Sequence, residues 1–403
     1  MKPEPGSWRT AGRAIAACAL GAGAALAPIS AAAMPYVPAE DAKVLERVPA
    51  RGGAQARELA RLRAAAGAVP ADVGAAVALA DGYYRVAQRE GDPRYLGYAQ
   101  AALARWWKDA DAPTAVLVTR ATILQSSHAF DAALADLGRA IAREPRNGRA
   151  LLVRSTVLAV QGRYADARAD CTRLFGLVPE FYVFTCVAAV DSLNGSTDAA
   201  VATLRRELAK LPPADADARA WGESLLGEFA HRRDDPEAET SFRAALAADP
   251  GDLYTLGAYA DWLLDHGRAA EVLPLTGRDA RVDALLLRTA LAQQALGRPE
   301  AAASIATLRA RFAASRLRGD TVHRREEARF ALHLDANPAA ALRLAQENWA
   351  VQREPADLRI LAEAAAATGD ATAKNVVREW LAQTRLEYPK VAALTGAGAG
   401  SAR

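Results

Sequence analysis

The sequence has little of what catalytic, metal-binding and nucleic-acid-binding chains display. Only three cysteines and five histidines occur in 403 residues. No histidine stands in an HExxH pair or at a Cys-His zinc spacing. No Gly-rich loop follows a strand to cradle a phosphate, and neither a nucleophile elbow nor a Ser-His-Asp arrangement is present. Charge of one sign is missing too. Lys and Arg total 50 against 47 Asp and Glu, a net charge of +3. Arginines such as Arg139, Arg143 and Arg168 alternate with acids, and only six lysines occur (Lys2, Lys43, Lys108, Lys210, Lys374, Lys390). The single-signed stripe that phosphate backbones require is therefore absent. Catalysis, a cofactor and a nucleic-acid partner are not expected.

What is present is alanine throughout, with Gly and Pro at spaced positions, in a chain that is 51% apolar and 24% charged. That composition belongs to a folded protein of helices punctuated by turns. At this length a single compact core stops growing, so several domains or a repeat array are expected.

The segment from Met1 to Ala33 reads as an export address. Lys2, Arg9 and Arg13 precede an Ala/Gly/Leu stretch from Ala14 to about Ala27, followed by Pro28 and small residues. A charged head, a short apolar middle and Ala31 and Ala33 before the cut match a secretory signal cleaved after Ala33. The stretch is too weakly apolar, and too broken by Pro28, for a retained membrane anchor. Ile15-Ala16-Ala17-Cys18 imitates a lipoprotein box, but no apolar run precedes it. The chain is expected in the periplasm or secreted, not membrane-spanning.

Prolines then mark a period. Pro145, Pro179, Pro212 and Pro250 follow one another at intervals of about 34 residues. From Thr114, Leu117, Ala121 and Leu124 line one helix; Phe130, Ala133, Leu137 and Ala140 line a second, ended by Pro145. From Gly148 the pattern repeats with Leu151, Ser155, Leu158, Gly162, Tyr164, Ala167, Cys171, Leu174 and Pro179. Spacings of three and four place these residues on one face, and the small ones let two helices approach closely. This resembles the tetratricopeptide repeat family. Looser copies run over 72–107, 182–213, 219–250, 253–280, 283–312, 324–355 and 356–381, with Pro274 inside one second helix. The resemblance implies an all-α, right-handed solenoid of antiparallel helix pairs, about eight or nine units over 71–382. An N-terminal arm and capping helix (34–70) would precede it and a mobile tail (383–403) follow it.

In this family the first helix of each pair lines the inner groove. Carried over by register, the partner-binding positions are Val118, Thr122, Gln125, Arg149, Leu152, Thr156, Glu223, Tyr254 and Asp261. Members that clamp a carboxylate tail carry Lys and Asn where this chain has Val118, Thr122 and Val153, so that role is not expected. The leading expectation is a non-enzymatic scaffold for a protein or peptide partner in an envelope or secretion assembly; the alternative is a small-ligand or metal carrier. Four further features stay open. Pro35–Pro49 reads as an arm packed on the first repeat rather than a docking arm. Tyr83, Tyr84, Tyr95, Tyr98, Trp106 and Trp107 read as packing rather than binding anchors. Cys171 and Cys186, on neighbouring helices, read as two small buried hydrophobes in preference to a disulfide. His323 and Glu327, four apart, could face a metal, but Arg324 and Arg325 would repel it.

Overall fold

A computed structural model of the chain describes Glu40 and residues 53–277 and 280–396. The expected signal segment, nearly all of the Pro35–Pro49 arm and residues 397–403 lie outside the described residues. The chain divides into two units, Met1–Arg51 and Gly52–Arg403, and the helices described below all belong to the second.

Twenty α-helices and no strand occur among the described residues. They are α1 (Ala54–Ala68), α2 (Val73–Glu90), α3 (Arg94–Ala102), α4 (Thr114–Ser126), α5 (Phe130–Arg143), α6 (Gly148–Val160) and α7 (Tyr164–Arg173). Then come α8 (Glu180–Asp191), α9 (Thr197–Lys210), α10 (Ala216–Arg232), α11 (Glu237–Ala248), α12 (Leu253–Asp265), α13 (Ala269–Thr276) and α14 (Asp283–Ala295). Last are α15 (Ala301–Leu317), α16 (Arg324–His333), α17 (Pro338–Trp349), α18 (Pro355–Thr368), α19 (Ala371–Thr384) and α20 (Pro389–Thr395). From α2 to α19 they form nine consecutive antiparallel pairs, each first helix packing on its own partner and on the first helix of the next pair. The chain is an all-helical solenoid.

Local chemistry sets these boundaries. Asp72, Asn147, Asp252, Asn337 and Asp370 cap helix starts by accepting a backbone N–H of the first turn. Proline occupies the first turn of α17, α18 and α20, where its missing N–H is no loss. Gly162 turns α6 into α7 at φ +77°, and a Cβ there would collide with the Trp380 ring, so both the backbone angle and the close approach require glycine. Pro274 lies inside α13, which is only eight residues long.

Two ion pairs, the first buried and the second partly so, repeat with the period. Arg120 Nε and Nη2 donate to Asp136 at 2.6 and 2.8 Å, and Arg154 Nε and Nη2 donate to Asp170, both at 2.6 Å. Each bidentate fork ties a first helix to its own second helix, and the second fork stands one full repeat after the first. The Arg120 Nη1 group also donates to the carbonyls of Trp106, Trp107 and Asp109, leaving this buried guanidinium well satisfied.

The solenoid turns back on itself. One continuous core joins Leu59–Val190 to Ala328–Val391, while smaller clusters fill the repeats between. Arg353 N donates to Val160 O at 2.7 Å, and Trp380 meets Tyr164 edge-on at 6.0 Å. Asp265 of α12 receives Arg359 of α18 at 2.6 and 2.7 Å and Lys390 of α20 at 2.5 Å.

Two expectations need correction. The mobile tail from residue 383 is packed as far as Gly396: Leu386, Tyr388 and Val391 are buried and α20 rests on α18 and α19. Its apolar residues are too few to show a period, yet they fill the last gap of the core. Cys171 and Cys186 form a disulfide between α7 and α8, their Cα atoms 5.5 Å apart, a separation that suits the bond. Both are also buried, so packing and bonding are not exclusive.

Removing one partner of the buried Arg120–Asp136 pair strands a charge in the core. Asp136→Ala is expected to lose about 3–5 kcal/mol of stability, and Asp170→Ala less, because Arg154 is partly exposed. Urea unfolding of the two variants checks the order; equal losses would contradict it.

Candidate functional site

The first helices converge on a central cavity of about 1190 Å³. Its wall is built by α1, α2, α6, α8, α10, α12, α14, α16 and α18, with Tyr388 ahead of α20. Second helices are absent from this wall because their apolar faces are spent on the pairs. So is α4, which packs against α2, α3, α5 and α6 and is buried at every position from Val116 to Ile123. A helix buried all round has no face left for a ligand.

The wall is apolar along Leu152, Val160, Leu193, Trp221, Leu225 and Phe229, and ionic elsewhere. Its charges are mostly interlocked. Asp261 lies between Arg288 and Arg329, each at 2.6 Å. Arg325 reaches Glu354 at 2.8 Å and Asp357 at 3.4 Å. Asp357 also accepts from Asn348 and Gln352 and closes a capping box with Glu354 at the start of α18. Beyond the wall, Asp265 accepts from His231 at 2.9 Å as well as from Arg359 and Lys390.

These environments push the acids apart. Burial would raise Asp265, but hydrogen bonds from His231 and Arg359 outweigh it and hold the carboxyl far below the usual range. Burial likewise opposes ionisation of Glu363, yet the His333 hydrogen bond and the Arg359 charge bring it to about 2. Glu228 goes the other way: burial pushes it up to about 7, against the pull of Arg232 and a hydrogen bond with Tyr254. Tyr254 is 58% exposed, but what it is exposed to is the cavity, and burial together with Glu228 raises its phenol.

The groove positions carried over by register are divided. Leu152, Thr156, Tyr254 and Asp261 stand on the cavity wall. Val118 and Thr122 are corrected: at 2% and 8% exposure inside α4 they meet no ligand, because neighbouring helices cover that face. Gln125, on the same helix, is off the wall. Arg149 forks onto Asp81 at 2.6 and 2.8 Å and ties α6 to α2. Glu223 is half-buried off the wall, where burial raises its carboxyl. Of the aromatic group, Tyr83 is core, Tyr95 and Tyr98 contact it ring to ring, and Tyr84 alone lines the cavity. Glu327 pairs with Arg316 instead of turning to His323, and among the described residues no group of three or more His, Cys, Asp or Glu could hold a metal.

Residues overlooked in the sequence include Glu228, Arg232 and Arg359, while Arg325 entered only as a neighbour of the His323 patch. Helix position gives no signal for Arg359, since Arg325 is the second residue of α16 and Arg359 the fifth of α18. For Glu228 and Arg232 there is only their spacing of four on one helix.

Paired helices of this length, stacked with the first of each pair inward, define a tetratricopeptide-like helical-repeat protein. No family model and no curated protein matches the sequence. Among solved structures the chain is similar to a tetratricopeptide repeat protein from Parabacteroides merdae, at 14% identity and a TM-score of 0.34, covering 82% of this chain and 99% of that one. It is similar to the APC/C hetero-tetramer Cut9–Hcn1 at 13% identity and a TM-score of 0.39, covering 84% and 85%. Yeast Tom70 is similar at 12% identity and a TM-score of 0.24, covering 79% and 93%. No helix among the described residues is long and apolar enough to cross a membrane.

A group whose folded pKa is raised stabilises the fold below its unfolded pKa and loses that contribution as pH rises. For Glu228 the window runs from 4.5 to about 7. Glu228→Gln is therefore expected to flatten the fall in stability across that window and to add on the order of 1 kcal/mol at pH 7. Asp357 rises in the same window, so the difference between wild type and variant isolates Glu228. Parallel curves from denaturant titrations at both pH limits would rule this out.

Proposed function

We propose that the chain is a non-enzymatic, exported binding protein that holds a segment of a protein partner in its central cavity, as part of an envelope or secretion assembly. The observation that carries the reading is the convergence of eight first helices on one cavity whose ionic groups are largely spent on each other. Such a wall offers shape, apolar contact and a few hydrogen bonds, which suit an extended peptide. Cavities for small ligands span roughly 300–1,000 Å³, and the larger volume here accommodates several peptide residues. The same volume supports a second reading, a carrier for a small organic ligand.

Export draws support from the charged, apolar and small-residue order of the segment up to Ala33 and from the Cys171–Cys186 disulfide, since such bonds persist in oxidising compartments. One experiment addresses location and occupant together. The full chain is expressed in a bacterium with an export pathway, mildly crosslinked in the envelope fraction, and examined by intact-mass and crosslink mapping. The expected product begins at Met34, carries no free thiol at Cys171 or Cys186, and is crosslinked to an occupant through wall residues such as Trp221 or Tyr254. Crosslinks confined to the outer second helices would overturn the cavity reading, and a chain still beginning at Met1 would overturn export.

A further inference from the structure

The arginines of the cavity wall are not alike. Arg85 and Arg89 of α2 are exposed, and Arg288, Arg325, Arg329 and Arg359 each hold a carboxylate. Arg232, at the end of α10, does not. It is 7% exposed and lies on the wall. Its Nη2 donates to Ser192 O at 3.3 Å and Ser192 Oγ at 3.1 Å, while its Nε has no partner. Among the described residues no Asp or Glu forms an ion pair with it. Glu228, one turn back, forms no ion pair with it: it is engaged by Tyr254, and burial raises its carboxyl to about 7 against the pull of Arg232. A buried cation without a counter-charge is unfavourable unless something completes it.

We infer that Arg232 is the anchor for a single carboxylate on an otherwise apolar occupant of the cavity. The inference rests on the reading that the cavity is the binding site. One unmatched guanidinium offers a planar fork and one positive charge, which a carboxylate matches in shape and in charge. Phosphate fits less well, because the Glu354 carboxylate faces the same space and would repel a second negative charge. Val160, Leu193, Leu225 and Phe229 supply the apolar surround, with the guanidinium 5.2 Å from the centroid of the Phe229 ring. This is not the clamp of the tetratricopeptide family, at whose positions this chain carries Val118, Thr122 and Val153. The carboxylate belongs either to a peptide or to a small organic acid, and separate probes distinguish these sources.

The test uses the full chain with its disulfide intact, in calorimetric and thermal-shift titrations. The probes are decanoate against decanol, acetyl-leucyl-alanyl-phenylalanine against its amide, and inorganic phosphate. At least one acid is expected to bind about tenfold or more tightly than its uncharged twin, with no response to phosphate. Whichever acid binds identifies the source. Arg232→Met should abolish that preference while leaving the ligand-free melting temperature equal or higher, since it removes an uncompensated charge. Arg232→Lys should restore part of the affinity. Failure of both acids to bind, binding by phosphate, undiminished acid affinity in Arg232→Met, or a lower ligand-free melting temperature in that variant would each overturn the inference. Occupant crosslinks to wall residues that persist in Arg232→Met would leave the cavity reading standing while this one falls.

Discussion

The carboxylate of Asp265 is where the middle of the array is held to its C-terminal end. His231 of α10, Arg359 of α18 and Lys390 of α20 all converge on it, the last two from 94 and 125 residues away. A stack of helix pairs needs only neighbour contacts to be stable, and left to those it stays an open spiral. Here long-range contacts bring α18 to α20 back against earlier repeats, with Trp380 on Gly162 and Arg353 on the end of α6. An open groove becomes a cavity because of them.

Burial of so much charge is tolerable only when it is matched. The forks Arg120–Asp136 and Arg154–Asp170 are matched within each helix pair; Arg288–Asp261–Arg329 is matched across pairs. The first kind makes each unit rigid, and the second holds successive inner helices in fixed relation. Against that background Arg232, whose hydrogen bonds go to Ser192 and which forms no ion pair among the described residues, stands out.

The repeat was legible because its physics is local. Pro145 and Pro179, the small residues Ala121, Ser155, Ala133 and Ala167, and Gly162 at the turn all act within one pair, so their spacing shows in the chain. The site was half legible. Leu152, Thr156, Tyr254 and Asp261 reach the wall because register alone turns them inward. Val118 and Thr122 share that register, yet α4 is covered by its neighbours, and no periodicity reports what lies across from a helix. Leu386, Tyr388 and Val391 were overlooked because a short apolar run broken by Glu387, Pro389 and Lys390 makes no pattern until there is a gap for it to fill.

By itself, then, the sequence determined the helix pairs, their period and their inward face, since caps, turns and apolar stripes are settled by residues within a few turns of one another. Tertiary structure alone decided that the array returns on itself, that Cys171 meets Cys186 at bonding distance, and that Arg232 is buried without a counter-charge. Those outcomes depend on distances between residues far apart in the chain or on separate helices, and only packing sets such distances.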